Sequence, residues 1–362
     1  MTVDGAILGC NDGIQQITIG NQKITVKILT YGATLSSVRF SQTELVLGLA
    51  ENDASDQSGW QRPNNPCMNC VIGRIAGRTS SPVIIDDKPH DLLACDGGGG
   101  GIKLETNLHG GMVWNKANWS IVDVSPADKP TSVTLNYVCN DEYLPGSVDT
   151  FVTYRIVDNC LLVEYKATPT ETTPISLTNH AYWNLSGKPE AVTIDHLMML
   201  YGDKVSNDNG SGDGVPTGET ISIIDTPRDM TKDFVHMKDV VERQKTENPK
   251  FIHGEEFHLM KSTIDAPNVD PHIADCKLAA ILKHAENGIC MKMYTTEPAI
   301  QTYYATLLDN EIGRGGHTYG NHFGVCLEAT RLANAENFNN SSRIVRKGDA
   351  YKQTTIHEFI SL

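Results

Sequence analysis

Apolar and polar residues alternate with a period of two along much of the chain, as in strands that bury one face and wet the other. Ile24, Val26 and Ile28 fall on one side while Lys23, Thr25 and Lys27 fall on the other, and Val133, Leu135 and Tyr137 repeat the pattern. Phe151 to Val157 and Leu161 to Ala167 flank Asp158-Asn159, which predicts a hairpin closed by a tight turn. Further strands are expected at Ile17 to Ile19, Ile221 to Ile224, Lys277 to Leu282, Ile289 to Thr295, Ala299 to Ala305 and Phe323 to Glu328. Only Thr231 to Arg243 reads as a helix, with Phe234, Met237, Val240 and Val241 three or four residues apart. Many strands, short turns and almost no helix predict an all-β fold, an antiparallel sandwich or barrel. No linker, repeat or shift of composition marks a boundary, so residues 1–362 are expected to form a single domain. The glycine run Gly97 to Gly101 lacks the Lys-Ser/Thr and the strand–helix context of a phosphate loop, and reads as a flexible surface loop.

Charge narrows the range of partners. A formal net charge of −14 repels phosphate backbones, so neither nucleic acid nor an anionic membrane surface is an expected partner, and a sugar phosphate is disfavoured. The first residues carry neither a basic stretch nor a sustained apolar run, unlike a secretory signal. No segment approaches the roughly 20 apolar residues of a spanning helix. Nine cysteines, an odd number without regular spacing, are expected to be reduced thiols in a cytoplasmic protein.

Candidate chemistry centres on two distant segments. Thr178-Asn179-His180-Ala181-Tyr182-Trp183-Asn184-Leu185 places one imidazole among aromatic residues, and Gly324-Val325-Cys326-Leu327-Glu328 places one carboxylate in an otherwise apolar strand. A His and a Glu held this way can divide a proton transfer, one donating while the other accepts. For His180, and for His109 before Gly110 and Gly111, a hydrogen-bonded structural role stands beside the functional one; His322 reads as structural. Glu328 has two readings: an ion pair with Arg331 or Arg78, or a general base tuned by burial. Cys67-Met68-Asn69-Cys70 has zinc-ligand spacing but no second pair or His-x₃-His accompanies it. Neither a Gly-x-Ser-x-Gly elbow nor a dinucleotide Gly-x-Gly-x-x-Gly is present. The chemistry expected is therefore that of side chains alone, with no cofactor.

Around these residues the chain resembles the aldose 1-epimerases, or galactose mutarotases. Thr30-Tyr31-Gly32-Ala33-Thr34, Ile72-Gly73-Arg74-Ile75-Ala76-Gly77-Arg78, Leu108-His109-Gly110-Gly111, the His180 and Glu328 segments, Val215-Pro216-Thr217-Gly218-Glu219 and Tyr294-Thr295-Thr296-Glu297-Pro298 follow in the family's order. The resemblance implies a large antiparallel β-sandwich with an open sugar cleft and interconversion of the α and β anomers of free aldohexoses such as galactose and glucose. By their matches, Glu328 would take the proton from the anomeric hydroxyl and His180 would protonate the ring oxygen, while His109 and Arg78 would bind sugar oxygens. Asn179 is expected at the substrate too, and Trp183 or Tyr182 would stack on the sugar or lie in the core. A monomer is expected.

Ring opening of a hemiacetal needs one proton removed at O1 and another delivered at O5, nearly together. Unperturbed pKa values of roughly 4.3 for Glu and 6.5 for His suit that exchange near neutrality. One departure concerns specificity. Aligning on Phe257 puts Gly254 where family members carry an Asp that binds sugar hydroxyls, leaving His253 or Glu255 to reach the same hydroxyl. Gly77 also replaces an Asn before Arg78. A non-catalytic sugar-binding protein on the same scaffold, or a hexose-phosphate epimerase, are the alternatives.

Overall fold

Strand alternation translates into three large antiparallel sheets that share one core, with two-stranded ribbons beside them. The computed structural model describes residues 7–50, 58–94, 106–140, 143–207, 214–226, 228–247, 255–267, 275–338 and 341–362. The largest sheet runs in the spatial order Ser120–Ser125, Ser132–Cys139, Val148–Val157, Cys160–Pro169, Tyr351–Ser361, Ile289–Thr295, Lys277–Lys283, Leu197–Leu200 and Val235–His236. A second sheet runs Thr220–Ser222, Gly202–Ser206, Glu255–Met260, Ala299–Tyr303 and Cys326–Thr330. A third joins Ile7–Gly9, Gln15–Gly20, Ile24–Leu29, Thr34–Phe40 and Thr43–Glu44. The expected all-β sandwich is therefore the observed class, and Val157 pairs with Cys160 across the Asp158-Asn159 turn.

The main hydrophobic cluster draws Ile17, Ile19 and Val26 from the third sheet, Val133, Val152, Val163 and Met291 from the largest, and Ile300, Leu327 and Ala329 from the second. Burying one such side chain contributes roughly 1.5–3 kcal/mol. For function, the important part is the strand Cys326–Thr330. Leu327 and Ala329 turn inward and line a small cavity with Val163, Met293 and His357 of the largest sheet. Alternation then directs Cys326 and Glu328 to the opposite face.

Sequence periodicity misplaced the bounds of four elements. The described helix is Met237–Glu247, six residues later than expected at its start, because Val235–His236 instead adds an edge strand to Leu197–Leu200. Met237, Val240 and Val241 are its buried face, whereas Phe234 is 40% exposed. The strand expected from Phe323 begins at Cys326, after a turn in which His322 has φ 67°. The strand expected at Ile221 to Ile224 is Thr220–Ser222, and Ala299–Tyr303 ends before Ala305, which has φ 49°. Gly97 to Gly101 lies outside the described residues. No disulfide joins the described cysteines. No described helix is long and apolar enough to cross a membrane.

Several imidazoles are buried in this core. His357 packs against Trp183 with ring centroids 4.9 Å apart, and burial lowers its pKa from 6.5 to about 4. The unfolded chain therefore binds this proton first as pH falls. Stability from this site is intact above the unfolded value of 6.5 and is lost progressively as pH falls toward the folded value of about 4. A shift of that size corresponds to roughly 3 kcal/mol once both states are protonated. We expect His357→Gln to flatten the fall of Tm with acidification across this window, measured by calorimetry. A slope identical to wild type would mean that the ring already charges within the fold.

Candidate active site

Three pieces of backbone meet where the proton-transfer residues lie. The first is the strand Thr106–Leu108, which pairs antiparallel with Arg78–Ser80 so that Leu108 faces Arg78. His109 follows at once with φ 55°, its N–H bonded to the Gly77 carbonyl at 3.0 Å. Gly77 returns the contact, donating its N–H to His109 Nδ1 at 3.1 Å. Gly110 has φ 66°, and a Cβ there would lie 2.6 Å from the Gly73 carbonyl oxygen and the Arg74 nitrogen. Only glycine lets the turn close this tightly against that segment. The glycine therefore brings backbone to backbone at this point.

The second piece is the turn Cys67 to Cys70 together with the strand Thr178–Asn179. His180 donates its N–H to the Cys70 carbonyl and accepts the Asn69 N–H at its own carbonyl, both at 2.9 Å. Asn69 Oδ1 takes the Tyr182 N–H at 2.8 Å. These bonds hold His180 and Tyr182 as a stacked pair, ring centroids 5.1 Å apart. The third piece is the second sheet. There Glu328 sits across the ladder from Gln301, and Cys326 across from Tyr303.

At the junction His180 Nε2 lies 3.7 Å from Glu328 Oε1. The His109 ring meets the His180 ring edge to face at 5.4 Å. Glu328 is 1% exposed, and both rings are buried. Burial pushes the His180 pKa down to about 4, partly offset by its own carbonyl. Burial also holds His109 well below the usual imidazole range, with His180 and the Arg78 guanidinium adding to the effect. Both rings are therefore neutral near pH 7 in the absence of a ligand.

His109, His180 and Glu328 each offer a ligating atom within 4.8 Å of the others, the residue set of a divalent-metal site. The Gly77 contact opposes that use. Because Nδ1 accepts a backbone N–H, the proton of neutral His109 belongs on Nε2. A metal would require that nitrogen's lone pair, whereas a substrate oxygen requires its N–H. Proton transfer with a fixed donor is what this arrangement does best.

Four sequence expectations meet here: His180, Glu328, His109 and Arg78. Two others do not. Asn179 and Trp183 fall on the opposite face of the same extended segment, one residue out of phase with His180 and Tyr182. Trp183 packs in the core on His357 and Phe359, so of the two aromatics only Tyr182 shares the face of His180. Asn179 donates to the Asn69 carbonyl at 3.0 Å, bracing the turn that holds His180. Glu255 begins its strand opposite Tyr303, two strands from Cys326, while His253 and Gly254 lie outside the described residues. The suggested Glu328–Arg331 ion pair is not formed: Arg331 Nε lies 3.9 Å from Glu297 and its guanidinium covers the Tyr351 ring at 4.7 Å. His322 is structural as expected, its Nδ1 2.8 Å from the Tyr304 carbonyl oxygen. Sequence reasoning missed Gln301, Tyr303 and Cys326, which only strand register places on the Glu328 face. Gln301, a buried polar residue inside Ala299–Tyr303, carried the one local signal.

Comparison with known proteins places the chain in a family and matches its fold. The aldose 1-epimerase family model matches residues 15–358. Galactose mutarotase of Rattus norvegicus is 28% identical, over 99% of this chain and 97% of its own. Aldose 1-epimerase of Escherichia coli is 27% identical, over 94% and 93% respectively. Among solved structures, the aldose epimerase homologue from C. elegans superposes with a TM-score of 0.79 at 24% identity, covering 96% of this chain and 99% of that one. Galactose 1-epimerase from Lactobacillus acidophilus gives 0.78 at 21% identity, over 97% and 95%. With the match running through the His109, His180 and Glu328 segments and across nearly the full length, the chain belongs to the aldose 1-epimerase family.

Proposed function

We propose that this protein is a mutarotase that interconverts the α and β anomers of a free aldohexose, with His180 and Glu328 as the proton-transfer pair. The observation that carries the reading is the 3.7 Å approach of His180 Nε2 to Glu328 Oε1 in a buried site, beside a second imidazole whose tautomer is fixed. A single pyranose can present O1 to one group and O5 to the other.

The pair carries one exchangeable proton through the cycle. It is taken up from water onto Nε2 of the neutral resting His180 ring when the sugar binds, with Glu328 as the carboxylate. Ring opening moves the O1 proton to Glu328 and the Nε2 proton to O5, breaking the C1–O5 bond and forming the C1 carbonyl. Neutral imidazole and carboxylic acid remain beside the open aldehyde. Rotation about C1–C2 presents the other carbonyl face, and reclosure returns both protons. No group, hydride or electron leaves the substrate. Burial disfavours the imidazolium, which makes His180 a strong acid once it is charged. His109 supplies an Nε2–H donor for the oxygen on which charge changes, and the buried Arg78 adds positive potential beside it. Tyr182, stacked on His180, offers a flat wall to the site.

Glu328→Gln keeps the shape and removes the base. The polarimetric rate on fresh α-galactose or α-glucose should fall about 10²- to 10⁴-fold, with circular dichroism unchanged. Activity within threefold of wild type would remove Glu328 from the base role. His109→Ala should lower kcat on the order of 10²-fold, the usual effect of losing one preorganised donor. A change confined to KM would instead make His109 a binding residue only.

A further inference from the structure

The proposed chemistry uses one nitrogen of His180, and the structure places a distinct partner at each. Nε2 faces Glu328 Oε1 at 3.7 Å, whereas Nδ1 lies 3.4 Å from Cys326 Sγ. Cys326 is fully buried, two residues before Glu328 and on the same face of the same strand. We infer that Cys326 is a positioning residue whose sulfur accepts the Nδ1–H of His180 and so confines the mobile proton to Nε2. The inference rests on the proton-shuttle reading above.

Proton accounting over the cycle supports this direction for the contact. When His180 is doubly protonated, both nitrogens are donors and Nδ1–H needs an acceptor. After the ring has given its proton to O5, Nε2 must be bare to take that proton back, so the remaining hydrogen must stay on Nδ1. One tautomer serves both steps, and an acceptor at Nδ1 preserves it. The reverse contact, with the thiol S–H donating to Nδ1, would leave the neutral ring protonated at Nε2. That ring can accept nothing from O5 and has only its last proton to give.

The choice of sulfur also matters. A carboxylate at this position would stabilise the imidazolium and weaken it as an acid. A neutral thiol is a weak acceptor that orients the ring with little added charge. His109 shows the opposite arrangement, its Nδ1 receiving an N–H from Gly77. Two imidazoles in edge-to-face contact thus have opposite tautomers, one a fixed donor at Nε2 and the other a shuttle at Nε2.

The test combines tautomer and rate. Long-range proton–nitrogen NMR on histidine-labelled protein should show His180 as the Nδ1–H tautomer in wild type near neutral pH. Cys326→Ala should shift the ring toward Nε2–H and lower kcat about tenfold with KM unchanged, comparable to losing other groups that orient functional histidines. Cys326→Ser, which keeps an acceptor on the same carbon, should restore the tautomer and most of kcat. An Nε2–H ring in wild type would overturn the inference, and so would a Cys326→Ala variant that keeps both the Nδ1–H ring and the wild-type kcat. If Cys326→Ala does not fold, the wild-type and Cys326→Ser spectra decide. The tautomer is read without sugar, so a wild-type protein that anomerises nothing would overturn the proposed function while Cys326 is still judged on its spectrum.

Discussion

A carboxylate and an imidazole are held within 3.7 Å of each other in a site almost closed to water, and the surrounding fold keeps them so. Either group alone in that environment would be costly, by several kcal/mol for an unpartnered ionised carboxylate. Together they share one proton, and a pair that shares one proton is the smallest unit able to open and reclose a hemiacetal. The architecture supplies rigidity to that unit. Leu327 and Ala329 lock one side of the Glu328 strand into the core, and the Asn69 turn grips the His180 segment at three backbone atoms.

The two histidines look alike in sequence and differ in what is offered to Nδ1. Gly77 gives His109 an N–H; Cys326 gives His180 a sulfur acceptor. This difference, set by groups outside the substrate's reach, assigns one ring to stabilise charge and the other to exchange protons. A second buried carboxylate, Glu297, illustrates the alternative fate of such a group. Burial pushes its pKa up to about 7, Arg331 pulls it back, and its Tyr351 neighbour belongs to the largest sheet. It braces the end of the Glu328 strand away from the reacting pair.

Much of this was legible in the sequence, and the limits have physical causes. Strands whose two faces differ, such as Ile24–Leu29 and Val148–Val157, announce themselves by period two. The edge strand Val235–His236 does not, because a two-residue strand has too short a period and its neighbours Met237, Val240 and Val241 suit a helix. His180 and Glu328 were visible as titratable residues in apolar settings. Asn179 and Trp183 were assigned to the site by proximity along the chain, yet proximity along an extended segment puts neighbours on opposite faces. Gln301, Tyr303 and Cys326 reach the site through pairing between strands, which no local pattern encodes.

The central claim is that His180 and Glu328 act as one proton-sharing unit, and a double-variant cycle tests it most directly. Anomerisation rates of wild type, His180→Asn, Glu328→Gln and the double variant should show that the second substitution costs almost nothing once the first is made. Losses that multiply across the two sites would contradict the account, because they would mean that each residue works without the other.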